Sequence, residues 1–347
     1  MKRILSISIA AAVTLAMAVA SCDTKNNTKG VEPSEPVVEN PVTTDLLTML
    51  SDSIANDASR PDLFLARAQE YLRREQVGAA MMDVNQAIQL NPSNVDAFLL
   101  LADLYYVLGD EPNITATLNK AIEIDPYDAR PMVKLAELNL LQQNYNVSIG
   151  YIENALKINT YNPKAYFVKG MLYLAKQDTT SAMKNFMIAR EQDGGFYDPL
   201  REICLIYQNQ HNPLAESFMR NAVQQFPEET MARYDLALFL QDNGYPEEAL
   251  AHYDTLLLEQ PGNSRLLFNK GYVNFVYLED NETALSYFNQ ALDSDPNYLD
   301  ALYNKGHVLE QMGDYVQAKN IYSEVLKRKT NYQLAIDALN RIANLAE

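Results

Sequence analysis

Tryptophan is missing from all 347 residues, cysteine occurs twice and histidine three times. Two cysteines cannot build the multi-bridge framework of a small secreted domain. The histidines, His211, His252 and His307, lie in separate stretches, and none falls in a zinc-binding spacing such as H-E-x-x-H. There is no phosphate loop of the G-x-x-x-x-G-K type and no G-x-S-x-G nucleophile turn. Positive charge is scarce as well: 28 Lys and Arg against 45 Asp and Glu give a formal charge of −17. Nucleic acid is thereby excluded as an expected partner, because neutralising phosphates takes clustered cations. From this inventory no enzyme activity, metal or cofactor is expected.

What the chain has in abundance is a beat. Ala68, Ala102, Ala136, Gly170, Cys204, Ala237, Gly271 and Gly306 recur at intervals of 34, 34, 34, 34, 33, 34 and 35. About twelve residues after each comes a second series, Ala80, Ile114, Ser148, Ala182, Ala215, Ala249, Ala284 and Ala318. Seven residues later a third follows, Ala87, Ala121, Ala155, Ala189, Ala222, Leu256, Ala291 and Val325. A seven-residue step returns to nearly the same helix face, and small side chains there let neighbouring helices approach closely. Pro92, Pro126, Pro227, Pro261 and Pro296 close most periods, where a helix has to stop. Each period is thus two helices and two turns, stacked because one pair alone cannot bury its apolar face.

This pattern resembles the tetratricopeptide repeat, in which a small residue in helix A is followed three positions later by an aromatic, then by alanines and a proline. Matching stretches run from Ala68 to Tyr71, Ala102 to Tyr105, Gly170 to Tyr173 and Cys204 to Tyr207, and one turn reads Met312-Gly313-Asp314-Tyr315. The resemblance implies an all-α fold, a right-handed α-solenoid of about eight helix-turn-helix repeats. They fall at residues 61–94, 95–128, 129–162, 163–196, 197–229, 230–263, 264–298 and 299–332. Capping helices are expected over 43–60, with Leu46, Leu47, Leu50 and Ile54 inward, and over 333–347, with Leu339, Ile342 and Ala343 inward. Thr160, Gly194 and Thr330 replace the closing proline, and the family's tryptophan is absent from every repeat. The fifth repeat is one residue short and the seventh one long, both around the turn between helices A and B. Gly194 and Gly195 beside the shortened repeat read either as a bend between repeats four and five or as an ordinary loop.

The amino terminus carries a different signal. Lys2 and Arg3 precede an apolar run over residues 4–20, followed by Ser21 and Cys22. A basic start, an apolar middle and small residues before a cleavage point make a secretory signal. At 17 residues the run is short of the roughly 20 needed to span a bilayer. It resembles a bacterial lipoprotein signal, which implies cleavage after residue 21, a diacylglyceride on Cys22 and attachment to the membrane of the cell envelope. The outer membrane is the expected location, facing either the periplasm or the surface. Residues 22–42 are polar and Pro-containing and read as a flexible tether. With Cys22 modified, Cys204 has no partner for a disulfide and reads as a packing atom in the small-residue series. Three triplets beginning at Asp52, Asp178 and Asp254 resemble the acceptor sequence for periplasmic O-glycosylation in Bacteroides-like bacteria.

The expected function is a non-catalytic scaffold that holds an envelope protein or peptide in a concave groove. The alternative is a glycan- or peptide-binding accessory lipoprotein of a surface uptake system. In the family that this chain resembles, the second, fifth, ninth, twelfth and thirteenth positions of each repeat face the groove. Apolar and aromatic side chains accumulate there toward the carboxyl half, and such residues make good anchors because they bury much area and keep a polar handle. The expected contacts are Phe167, Met171, Tyr234, Leu238, Phe268, Tyr272, Tyr303 and His307. For Phe167 and Phe268 simple core packing is an equal alternative.

Overall fold

The computed structural model describes residues 45–343. The signal over 1–21, the lipidation site Cys22, the tether over 22–42 and residues 344–347 lie outside them. Among the described residues there are 18 α-helices and no strand, and the chain divides into two compact units, residues 1–178 and 179–347. The division falls inside the fourth repeat, between its two helices.

In the amino-terminal unit, α1 (Leu46–Asn56) leads into α2 (Pro61–Arg73), α3 (Val77–Leu90), α4 (Val95–Leu108), α5 (Glu111–Ile124), α6 (Arg130–Leu141), α7 (Tyr145–Ile158) and α8 (Pro163–Ala175). Even-numbered helices are the helices A of successive repeats. On α1 Ile54 is buried and Leu47 and Leu50 are half-buried, but Leu46 is exposed. The expected stripe therefore loses its first member. Asp45 at that end pairs with Arg74 just beyond α2, so the first turn of α1 sits at the rim of the stack.

In the carboxy-terminal unit, α9 (Thr179–Gln192) is followed by α10 (Tyr197–Asn209), α11 (Ala215–Gln225), α12 (Thr230–Asp242), α13 (Pro246–Glu259), α14 (Ser264–Val276), α15 (Asn281–Ser294), α16 (Leu299–Gln311), α17 (Tyr315–Arg328) and α18 (Gln333–Ile342). On the last helix Ala335, Ala338 and Ile342 are buried, with Leu339 packed beside them. Ala343, expected inward, is exposed, because α18 ends one residue before it.

The seam of small residues is buried throughout, and its size is matched to what faces it. Without a Cβ, Gly271 admits the ring of Phe288, to which an added Cβ would come within 2.8 Å. Gly306 admits Tyr322 at the same distance. In repeats one to three the seam is alanine, and the corresponding helix B residue is the smaller Val84, Leu118 or Ile152, each fully buried. Ala237 with Tyr253 is the one pairing of alanine and aromatic, and the Tyr253 hydroxyl donates to Gln241 at 3.1 Å.

The turn between helices A and B holds one residue in the left-handed region in every repeat. Gly109, Gly244 and Gly313 do so without cost, whereas Glu75, Gln143, Gln177, His211 and Glu279 carry a side chain there. The shortening of repeat five falls after that residue, between His211 and Ala215, and α11 starts only at Ala215, with 11 residues where α13, α15 and α17 have 14. The extra residue of repeat seven lies before it. Gly194 and Gly195 form a turn in which the Gly195 amide donates to Asp193 Oδ1 at 2.9 Å. The same Asx turn starts at Asn91, Asp125, Asn159 and Asp295, so the local geometry is that of an ordinary loop.

Candidate partner-binding groove

A groove of about 620 Å³ lies in the amino-terminal unit, built by the helices A and the turns that lead into two of them. Its walls come from α2, α4, α6 and the start of α8, with Asn94 and Asn162 from the turns before α4 and α8. The floor is aliphatic: Leu65, Leu99 and Val133, the fifth residues of three consecutive repeats, are each less than a tenth exposed. Second positions supply Asp62, Asp96, Arg130 and Lys164, and ninth positions supply Gln69, Asp103 and Glu137. Lys134 adds a further cation.

These charges pair from one helix A to the next. Arg130 Nη1 donates to Asp96 at 2.7 Å, Lys134 to Asp103 at 2.5 Å and Lys164 to Glu137 at 2.9 Å. The pairs remain wet, with Asp96 and Arg130 63% and 58% exposed, so each contributes only about 0–1 kcal/mol to stability. Arg130 also grips Asp128, and these two carboxylates raise its pKa despite some burial.

None of the eight contact residues expected from sequence lines this groove. Phe167 and Met171 sit on α8 and pack, half-buried, against the core around Val168 and Leu172, with the Lys164 ammonium 5.2 Å from the Phe167 ring centre. The other six lie on α12, α14 and α16 of the carboxy-terminal unit, all half-buried. Tyr234 and Leu238 pack on the core around Leu236, and the Tyr234 hydroxyl accepts a bond from Asn269 at 3.2 Å. Phe268 is ringed by Tyr298, Phe288 and Tyr272 at 5.1, 5.7 and 6.2 Å between centres. Tyr303 lies 5.5 Å from Tyr332 and 5.6 Å from Tyr322, and His307 meets Phe275 edge-on at 4.9 Å. Phe268 and Tyr303 thus rest on the core on one side and, like Tyr272 and His307, keep a partial exposure.

The remaining candidates for chemistry are quiet. Burial pushes the Cys204 thiol up to about 12, with Asp235 adding to the rise, so it stays protonated and inert. Burial also lowers the pKa of His307, against the pull of Glu310. Among the described residues no group of three His, Cys, Asp or Glu side chains converges as a metal site would require, and no helix is long and apolar enough to cross a membrane.

Two family models match this chain, one over residues 65–129 and the other over residues 276–342, and both describe the tetratricopeptide repeat. Both matched segments are similar to tetratricopeptide repeats. One match lies in each compact unit, and the structure adds the intervening repeats between them. Among curated proteins, the uncharacterized protein ycf37 of Guillardia theta is 35% identical over 74 residues, 21% of this chain and 42% of that protein. The photosystem I assembly protein Ycf3 of Acaryochloris marina is 30% identical over 107 residues, 30% of this chain and 62% of that one. The chain therefore spans less than two thirds of either relative. Among solved structures, the APC/C hetero-tetramer Cut9–Hcn1 shares the fold at 17% identity and a TM-score of 0.57, over 85% of this chain and 58% of that one. YrrB, a TPR protein described as having an unusual peptide-binding site, is 25% identical with a TM-score of 0.43, over 54% of this chain and 97% of that one. Among the described residues the architecture is an all-α solenoid of helical repeats.

Proposed function

We propose that this chain is a non-catalytic scaffold that holds a partner protein or peptide on the faces of its helices A, and that a lipid on Cys22 carries it at the cell envelope. The observation that carries the first part is the groove of the amino-terminal unit. It combines a buried aliphatic floor with a charged, solvated rim and no activated nucleophile, which is the make-up of a binding surface. Similarity to a protein named for its role in assembly supports the same reading. The carboxy-terminal unit contributes a second, half-buried face of Tyr234, Leu238, Phe268, Tyr272, Tyr303 and His307. Phe167 and Met171 extend the contact on α8. The sequence around Cys22 supports the anchor.

Crosslinking in the native envelope followed by mass spectrometry tests the scaffold. Partner proteins should be captured by the parent chain and lost from an Arg130→Glu/Lys164→Glu variant of unchanged helicity. Tyr272→Ala should weaken capture about tenfold, with its circular dichroism unaltered, as expected for an aromatic anchor worth more than 1 kcal/mol. An identical partner set in all three proteins overturns the assignment. Calorimetric binding of a glycan or short peptide, with no protein crosslinked, moves it to an uptake component. Cys22→Ser should abolish incorporation of labelled fatty acid and release the protein from membranes. An unmodified intact mass in the parent overturns the anchor.

A further inference from the structure

We infer that α1 is a docking face for a second copy of this chain, two molecules meeting through the side of that helix which their own stack leaves bare. α1 packs on α2 as each helix B packs on the next helix A, so it is a helix B without a helix A of its own. Its inner side is engaged: Ile54 is buried, and Arg67 of α2 donates from Nη1 to Ser51 Oγ at 3.1 Å. The other side is not covered in this way. Leu46, Leu50 and Ser53 stand one period before Ala80, Val84 and Ala87, which are fully buried. Here Leu46 is 50% exposed and Met49 beside it 53%, while Leu50 is half-buried and Ser53 exposed. Residues 46, 49, 50 and 53 fall on one helical stripe, so the apolar surface is continuous.

The carboxyl end of the chain is closed differently. α18 is a helix A without a helix B, and its seam position, 34 residues after Gly306, is held by Asn340, exposed and polar. A polar outer face is what a terminal repeat needs to stay soluble. The exposed Leu334 lies off that seam, at the second position of its repeat. Nor can the chain cover α1 with a helix A of its own. The stretch one period before α2, residues 27–39, holds Pro33 and Pro36, which a helix interior does not admit. A second α1 fits instead. About a two-fold axis beside Met49, antiparallel helices set each Leu46 over Leu50 of the other copy, and the small Ser53 lets them approach closely. Asp45, Thr48 and Asp52 form the neighbouring stripe and stay at the rim, where Asp45 is already held by Arg74. With 11 residues, α1 is about 16 Å long and offers well under the roughly 800 Å² per partner of a standard interface, so the contact is reversible and depends on concentration.

The test is crosslinking by a short bismaleimide in cells that produce the full chain as Met49→Cys, as Asn340→Cys, or as a mixture of the two. Residue 49 meets itself beside the axis, so Met49→Cys alone should give a covalent dimer and Asn340→Cys alone none. Cys22 and the buried Cys204 are common to both and cannot account for a difference. Adding Leu46→Glu to Met49→Cys should cut the dimer at least tenfold with helicity unchanged. If helicity falls, Leu46→Gln serves instead and should cut it several-fold. A dimer trapped only from the mixture sets α1 against α18, head to tail, and overturns the inference. So does a dimer that Asn340→Cys forms equally well, one that the substitutions at Leu46 leave unchanged, or the absence of any dimer. The scaffold reading rests on other proteins rather than on copies of this chain and stands or falls separately.

Discussion

The two units place different chemistry on the same repeat positions. In the first three repeats of the amino-terminal unit the ninth residues are Gln69, Asp103 and Glu137, the latter two pairing with a lysine on the next helix A, and only the fourth, Met171, is apolar. In the carboxy-terminal unit they are Leu205, Leu238, Tyr272 and His307, and the fifth residues Tyr234, Phe268 and Tyr303 stack against rings from neighbouring helices. The interior shows a similar contrast: an alanine seam beside aliphatic residues in repeats one to three, and glycine beside aromatics at Gly271 and Gly306 in repeats seven and eight. One repeat geometry therefore fixes where a side chain stands but not what it does there. The first unit offers charge that can be exchanged, and the second a half-buried aromatic face.

The sharpest way to break this comparison is at the seam. Gly271→Ala drives a Cβ to 2.8–2.9 Å from the Phe288 ring and should destabilise the carboxy-terminal unit by about 1–3 kcal/mol, read from its thermal or urea transition. Adding Phe288→Leu recreates the pairing of Ala102 with Leu118 and should recover most of the loss. If Gly271→Ala costs nothing, seam size and ring size are unrelated, and Ala237 beside Tyr253 is the rule rather than the exception.

The seam also shows how far the sequence could be read. Its eight small residues, the two series that follow it and the length changes in repeats five and seven all survive in the structure, because a period of 34 repeats the same burial eight times over. Cys204 could be placed in the core for the same reason. The contact residues are harder to read. The fifth position marks Phe268 and Tyr303 as rings, and for Phe268 leaves groove and core as equal alternatives, because the partners they meet, Tyr298 and Tyr332 just before the next helix, lie about 30 residues away in sequence. The amino-terminal groove escaped for a related reason. Its evidence is a change of sign from Asp62 and Asp96 to Arg130 and Lys164, and a net charge of −17 conceals it. Read down the second position of each repeat, the switch stands in the sequence.

Two carboxylates of the second unit separate paired from unpaired charge by pH. Burial pushes the Glu202 carboxyl up, with Asp198 and Asp235 adding to the rise and Arg201 opposing it. At Glu310 burial works in the same direction, but hydrogen bonds from Arg341 and Tyr322 outweigh it and hold the carboxyl below its ordinary range. For Glu202 the parent protein has its full stability below the ordinary value near 4.5 and loses some as the pH rises through the raised folded value. For Glu310 the contribution is present above 4.5 and is lost as the pH falls through the depressed value. Glu202→Gln should therefore raise the melting temperature at pH 7 and leave it unchanged at pH 4. Glu310→Gln should lower it at pH 7, with the difference closing in acid. Shifts of the same sign at pH 7 would show that the two environments are not opposed.

The smallest expected effect concerns what the units share. Both turn from helix A to helix B through one left-handed residue, whether glycine at Gly109 and Gly313 or a long side chain at Gln143 and Glu279. For a residue with a Cβ, that conformation costs about 1–2 kcal/mol, and the extra freedom glycine loses on folding returns part of it, so Gln143→Gly should stabilise the amino-terminal unit by about 0.5–1 kcal/mol. Gly109→Gln, at the same place one repeat earlier, should destabilise it by a similar amount, since no heavy atom lies within 4 Å of an added Cβ there and the strain is purely that of the backbone. Equal and opposite shifts in the urea midpoint would make the turn a feature of the repeat itself. A loss of stability in Gln143→Gly would instead mean that the side chain holds its turn through contacts particular to that repeat, and the turns would then differ as the grooves do.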